Sequence, residues 1–174
     1  MDAVRSTLGR YLSEANPLQA LWPHLVNSVY CGHARLPYPE RLTRPARFIF
    51  FVSCFRGEII NGGFSQFFSN SAGDNAAETL KALHAINADF SADLLQQACI
   101  AFGGDLPPAD RNHRCEMLFS YEDENRCCFN DLDKQFYDRV VNATLSQGEN
   151  LDELLMQFLR INSNVLVIDE NYIG

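Results

Sequence analysis

The stretch Ser120–Asp138, SYEDENRCCFNDLDKQFYD, carries Glu122, Asp123, Glu124, Asp131, Asp133 and Asp138 against Arg126 and Lys134 alone. Glu116 precedes it, and Glu149, Asp152 and Glu153 follow. Carboxylates gathered in this way either solvate a surface or meet a cation. The charge balance along the chain bears on the choice. Residues 1–60 hold seven Arg and four acids, net +3; residues 61–114 hold three basic and six acidic residues, net −3; residues 115–174 hold four basic and twelve acidic residues, net −8. The formal charge of the whole chain is also −8, so the excess falls in the last third. Such asymmetry points to an acidic face rather than to general solubility. It argues against nucleic acid as the partner, because phosphates would be repelled.

The spacing suits a basic protein partner. Carboxylates three or four residues apart on a helix lie about 5–6 Å apart, so they can act together on one cationic face. Asp131 and Asp138 fall two turns apart on one helical face; Glu149, Asp152 and Glu153 cluster at a helix start; Glu116, Glu122, Asp123 and Glu124 cluster upstream. Arg and Lys bind carboxylate much as they bind phosphate, including the bidentate guanidinium geometry. Each acid taken alone has an ordinary role available: Glu149, Asp152 and Glu153 could stabilise a helix N-terminus, and Asp131 and Asp138 could pair with Lys134, Arg126 or Arg139 at the surface. The collective excess carries the argument.

Other chemistry is thinly represented. The cysteines at 31, 54, 99, 115, 127 and 128 show no zinc-knuckle spacing, so His113, Cys115, Cys127 and Cys128 match no standard site. Reduced thiols, mostly buried, no metal and no cofactor are expected. FGGDLPP lacks the Lys of a phosphate loop. Glu58, Asn61 and Gln66 could form a catalytic polar cluster; a hydrogen-bond set that holds the adjacent glycine turn is the expected role.

These residues need a scaffold. A chain of 174 residues with 47 % hydrophobic and 21 % charged composition predicts one globular domain. Few segments alternate strictly, so an all-α, single compact multi-helix domain over 1–174 is expected, with 165–168 a short terminal strand or extended tail. Helices are predicted over Ala3–Ala15; from Pro17, capped by Asn16, to about Cys31; and through ARFIFFVSCFRGEII as a core helix. Asp74–Asn87 should turn Ala77, Leu80, Leu83, Ala85 and Ile86 inward. Ser91 should cap Ser91–Phe102, and Pro107-Pro108 should open the next helix. Leu132, Phe136, Val140 and Val141 form one stripe; Leu151, Leu154, Leu155, Phe158 and Leu159 form another, with Asn150 and Glu153 as a capping box. No charge-free apolar run reaches the ~18 residues of a membrane span, and the N-terminal stretch lacks a secretory core, so a cytoplasmic location is expected.

The most distinctive string is EIINGGFSQFFSN, which packs Glu58, Asn61, Gly62, Gly63, Phe64, Gln66, Phe67, Phe68 and Asn70 into thirteen residues. It reads as a helix that ends at Asn61, turns through two glycines and restarts, with one glycine at positive φ or against another backbone. This string resembles the signature of a bacterial family long known as a domain of unknown function: Glu, two residues, Asn-Gly-Gly, then Gln, an aromatic pair and Asn. ALHAINA at 82–88, FGGDLPPADRNHR at 102–114 and DLDKQFYD at 131–138 follow in the family's order, with Asn87 where the family pattern has Gly. The characterised representative is a small acidic mimic of double-stranded DNA. The resemblance therefore implies a non-enzymatic, all-helical protein that dimerises and occupies the DNA-binding surface of a basic helix-turn-helix repressor. An enzyme acting on a cationic substrate, and an acidic immunity or antitoxin-like module, are the alternatives.

Overall fold

A computed structural model describes residues 6–30, 39–100, 102, 106–123, 129–142 and 148–169; of Tyr121, Glu122 and Asp123 it describes the backbone alone. Glu124, Cys31, Cys127 and Cys128 lie outside the described residues. The fold is all-α. Its α-helices are α1 (Pro17–Val29), α2 (Arg44–Ser69), α3 (Ala76–Ala85), α4 (Asp89–Ile100), α5 (Arg111–Asp123), α6 (Asn130–Phe136) and α7 (Leu151–Ile161). A π-helical turn, Tyr137–Val141, continues α6. The contacts divide the chain into two units, residues 1–50 with 152–174, and residues 51–151.

In the first unit α1 starts as its sequence predicts. Asn16 caps it, its side-chain oxygen accepting the Gln19 N–H at 3.2 Å, and Pro17 occupies the first helical position, where its missing N–H costs nothing. The expected helix over Ala3–Ala15 is, in its described part, a short 3-10 helix, Leu8–Ser13, with Leu8 and Tyr11 buried. Leu8 and Gly9 donate their N–H groups to Val165 and Ser163 at 2.8 and 2.7 Å. The helical hydrogen bonds thus compete here with a tertiary backbone pairing. The tail is also held from its other side, where Thr43 N–H donates to Val167 at 3.1 Å and Asp169 N–H to Arg41 at 2.8 Å. The 165–168 segment forms isolated bridges, Thr7 with Leu166 and Leu42 with Ile168, rather than a strand.

The second unit is built on the aromatic residues of α2. Phe55, Phe64, Phe67 and Phe68 are fully buried. Phe136 meets the Phe55 ring edge-on at 5.7 Å, and Phe129 lies 5.6 Å from Phe68. The apolar stripe near α3 differs from its prediction. Ser71–Asn75 is a 3-10 helix, which advances fewer residues per turn, and α3 begins only at Ala76. The buried positions are Ala76, Thr79, Ala82, Leu83 and Ile86, while Ala85 is exposed and Ala77 and Leu80 are half-buried. Val141 is likewise exposed, at the end of the π turn.

The end of α3 explains the Asn at position 87. Asn87 takes φ 62°. Its N–H donates to His84 and the Ala88 N–H to Leu83, at 3.0 and 2.9 Å. This pair of bonds is the Schellman helix end, which needs a left-handed residue there; Gly is the usual choice, and Asn is one of the few side chains that tolerate it.

Candidate functional site

The glycine pair lies inside α2. Gly62 (φ −166°, ψ 26°) and Gly63 (φ 71°, ψ −170°) leave helical geometry, and the helix resumes at Phe64. Gly63 has the positive φ expected of the turn, a conformation disfavoured for residues with a Cβ. In an unbroken helix the Phe64 N–H would donate to the Ile60 carbonyl. Here both groups find partners on the α6 segment instead. The Phe64 N–H donates to Asp133 Oδ1 at 2.8 Å, and the Tyr137 hydroxyl donates to the Ile60 carbonyl. Asp133 and Tyr137 are four residues apart, one helical turn, so one face of α6 and its π turn supplies both groups. The fit requires glycine for a second reason: a Cβ built on Gly63 would stand 2.4 Å from Asp133 Oδ2.

On the outer side of the break, Glu58 Oε2 accepts from Gln66 Nε2 at 2.7 Å and from Asn70 Nδ2 at 2.9 Å. The motif's polar residues thus form a half-buried to exposed hydrogen-bond set that spans the glycines. Asn61 is exposed and makes none of these bonds. Burial pushes the nearby Cys54 thiol up to about 12, with the Glu58 charge adding to the rise; burial does the same for Cys99. A cavity of about 190 Å³ lies between α2 and α5, lined by Ser65, Gln66, Ser69, Cys115, Leu118 and Phe119. Among the described residues no three His, Cys, Asp or Glu side chains come together to hold a metal ion.

The acids singled out in the sequence fall into groups. Asp133 faces inward, and burial raises its carboxyl above the usual carboxylate range, partly offset by the Phe64 N–H. Glu149 also faces a backbone: its two oxygens accept the N–H groups of Phe90 and Ser91 at 2.9 and 3.0 Å. Glu149 is thus the cap of α4, and Ser91, the expected cap, is instead fully buried within the first turn. The Glu149 N–H donates to Arg139 at 2.8 Å, while the Arg139 guanidinium stands 4.1 Å from the centre of the Phe90 ring. Asp138 is exposed and meets Lys134 at 2.5 Å, and this bond is the main reason the Lys134 ammonium is held above its ordinary range. Glu116 and Asp131 are exposed in the second unit; Asp152 and Glu153 are exposed at the start of α7.

Sequence reasoning missed Arg114, which is fully buried. Its Nε donates to Phe68 at 2.5 Å and its Nη2 to Asn70 at 3.2 Å, which satisfies carbonyls where α2 ends. Its Nη1 donates to Pro108 at 2.7 Å and Ala109 at 3.2 Å, and its Nη2 pairs with Asp74 at 2.5 Å. Pro107 and Pro108 precede α5 rather than open it. The cap is Asp110, which accepts the His113 N–H at 2.8 Å.

The glycine break, the carboxamide–carboxylate set across it and the buried Arg114 all fall within one matched region. A family model described as DMP19-like protein covers residues 40–162. The chain belongs to that family. It is a family of DNA mimics, and the match takes in the motif of α2, the α3 end and the acid-bearing α6. No curated protein and no solved structure matches the chain. No helix among the described residues is long and apolar enough to cross a membrane.

Proposed function

We propose that this chain is a DNA mimic: its acidic surface binds the DNA-binding face of a helix-turn-helix repressor, blocks operator binding and so regulates transcription. The observation that carries the reading is the coincidence of DMP19-like family membership with a net charge of −8 confined to residues 115–174. Repressors hold DNA largely through Arg and Lys on phosphates, independent of sequence. Exposed carboxylates on helices offer those side chains equivalent partners without presenting bases. Of the acids whose side chains are described, Glu116, Asp131 and Asp138 are exposed in the second unit and Asp152 and Glu153 in the first; these, together with Glu122, Asp123 and Glu124, are the proposed contacts. Asp133 and Glu149 already serve backbone amides. The protein acts in the cytoplasm as a homodimer, an expectation that sedimentation at micromolar concentration checks by mass.

The test is a mobility-shift competition between this protein and the operators of its host's helix-turn-helix repressors. Purified protein in excess should displace one of them. Displacement should weaken with salt, with a shallower slope than DNA itself, because a folded protein lacks a duplex's condensed counterions. Reversal of Glu116, Asp131 and Asp138 together to Lys should weaken displacement by about tenfold or more. If no repressor is displaced, or the triple reversal displaces as well as wild type, the reading fails.

A further inference from the structure

We infer that Asp133 and Tyr137 are positioning residues: they clasp α6 to the glycine break of α2 and so fix where the exposed acids Asp131 and Asp138 stand. The inference rests on the DNA-mimic reading for its functional half and on geometry for the rest.

A carboxylate that replaces a phosphate acts best when it is held in place, because ordering a loose segment on binding costs affinity. The α6 segment is short, seven residues plus the π turn, and a helix of that length has little stability of its own. Apolar packing holds it from Phe129 and Phe136, both buried. Such packing, with Val140 buried as well, selects the face that turns inward but names no backbone atom for the segment to meet. The two clasp bonds supply direction. They come from positions 133 and 137, one turn apart, and end on the two backbone groups that the break at Gly62-Gly63 leaves without each other. With that face turned inward, Asp131, Lys134, Gln135 and Asp138 face outward, and all four are exposed. The break in α2 is thus a socket for α6, and Gly63 keeps it open, since a Cβ there would stand against Asp133.

The clasp uses Asp133 as a hydrogen-bond acceptor; its charge is not needed for that bond. Asn presents the same oxygen. A residue that positions should therefore tolerate Asp133→Asn, whereas a residue that itself contacts a cation should not.

The experiment uses the full chain, an oligo-arginine peptide as the basic probe, and amide hydrogen exchange at Phe64. Asp133→Asn should bind the peptide as wild type does and keep the Phe64 amide protected. Asp133→Ala and Tyr137→Phe should each weaken binding about fivefold, the worth of one hydrogen bond, and Asp133→Ala should speed Phe64 exchange. Asp131→Asn with Asp138→Asn should weaken binding with Phe64 exchange unchanged. If Asp133→Asn weakens binding as much as Asp133→Ala does, Asp133 is itself a contact and the inference is overturned. If Asp133→Ala speeds exchange and leaves affinity intact, the clasp serves the fold alone and the positioning role is overturned. Should Asp133→Ala fail to fold, Tyr137→Phe carries the affinity test. A wild-type chain that binds neither peptide nor repressor removes the mimic reading and the functional half with it; unchanged Phe64 exchange in Asp133→Ala removes the clasp independently.

Discussion

Among the described helix starts, those of α1 and α5 are capped from next door, whereas the restart of α2 and the start of α4 are capped from far along the chain. Asn16 caps α1 and Asp110 caps α5, each accepting an N–H three residues ahead. The restart of α2 at Phe64 is capped by Asp133, 69 residues away, and α4 is capped by Glu149, 58 residues from Ser91. All four satisfy the same need, the unpaired N–H groups of a first turn. The difference is that the remote caps also tie two segments together. Part of the negative charge in the last third is therefore bound to the protein's own backbone rather than displayed.

This contrast can be broken at several points. The largest effect is expected at Gly63→Val, which combines positive φ with a collision at the remote cap: a loss of roughly 2–4 kcal/mol from strain and overpacking, read as a lower denaturant midpoint. Glu149→Ala comes next. It leaves two amides of α4 without acceptors and should cost about 1–3 kcal/mol. Removal of a local cap, Asn16→Ala or Asp110→Ala, should cost about 1 kcal/mol, because an exposed helix end is rescued by water. Asp138→Ala should leave the denaturant midpoint essentially unchanged, since an exposed pair with Lys134 contributes little.

Asp133→Asn sharpens the comparison through pH. The Asp133 carboxyl is raised in the folded state by burial. A folded-state value above the unfolded one means that folding favours the protonated form. The contribution is fully present below the unfolded pKa and is lost as pH rises through the folded pKa. Asp133→Asn keeps the acceptor and removes this dependence. Relative to wild type it should gain stability at neutral pH, and the gain should shrink on acidification. Thermal melts of the two proteins across that range check it.

Of the local caps, Asn16 was legible because Asn-Pro at 16–17 writes its own helix start, whereas Asp110 was hidden behind Pro107-Pro108, which reads as the opening of that helix. The glycine break was legible too: only a turn needs Gly-Gly between two runs of buried phenylalanines. The remote caps were not legible. Nothing near Glu149 or Asp133 says that their oxygens belong to amides 58 and 69 residues upstream, so both read as surface acids. Ser91 looked like a cap because it is the right residue type near a helix start; its site is buried, and Glu149 reaches the amides first. The α3 stripe slipped because a tighter turn at Ser71–Asn75 changes the angle per residue before the regular helix begins. Asn87 stands where the family pattern has Gly, and its left-handed backbone shows why that position is selective. Arg114 gave no signal, since a lone Arg in a polar stretch reads as solvent-facing.

Arg114 has a consequence for cooperativity. Its guanidinium is without exposure, and its partners come from the end of α2, from Asp74 and from the turn before α5. An arrangement in which the guanidinium stays buried while half of those partners have left would strand a charge in the interior, at a cost of several kcal/mol. Intermediates of that kind are excluded by their energy. The segments around Phe68–Asp74 and Pro108–Arg114 must therefore separate together, so that a probe placed at either one should report the same single transition.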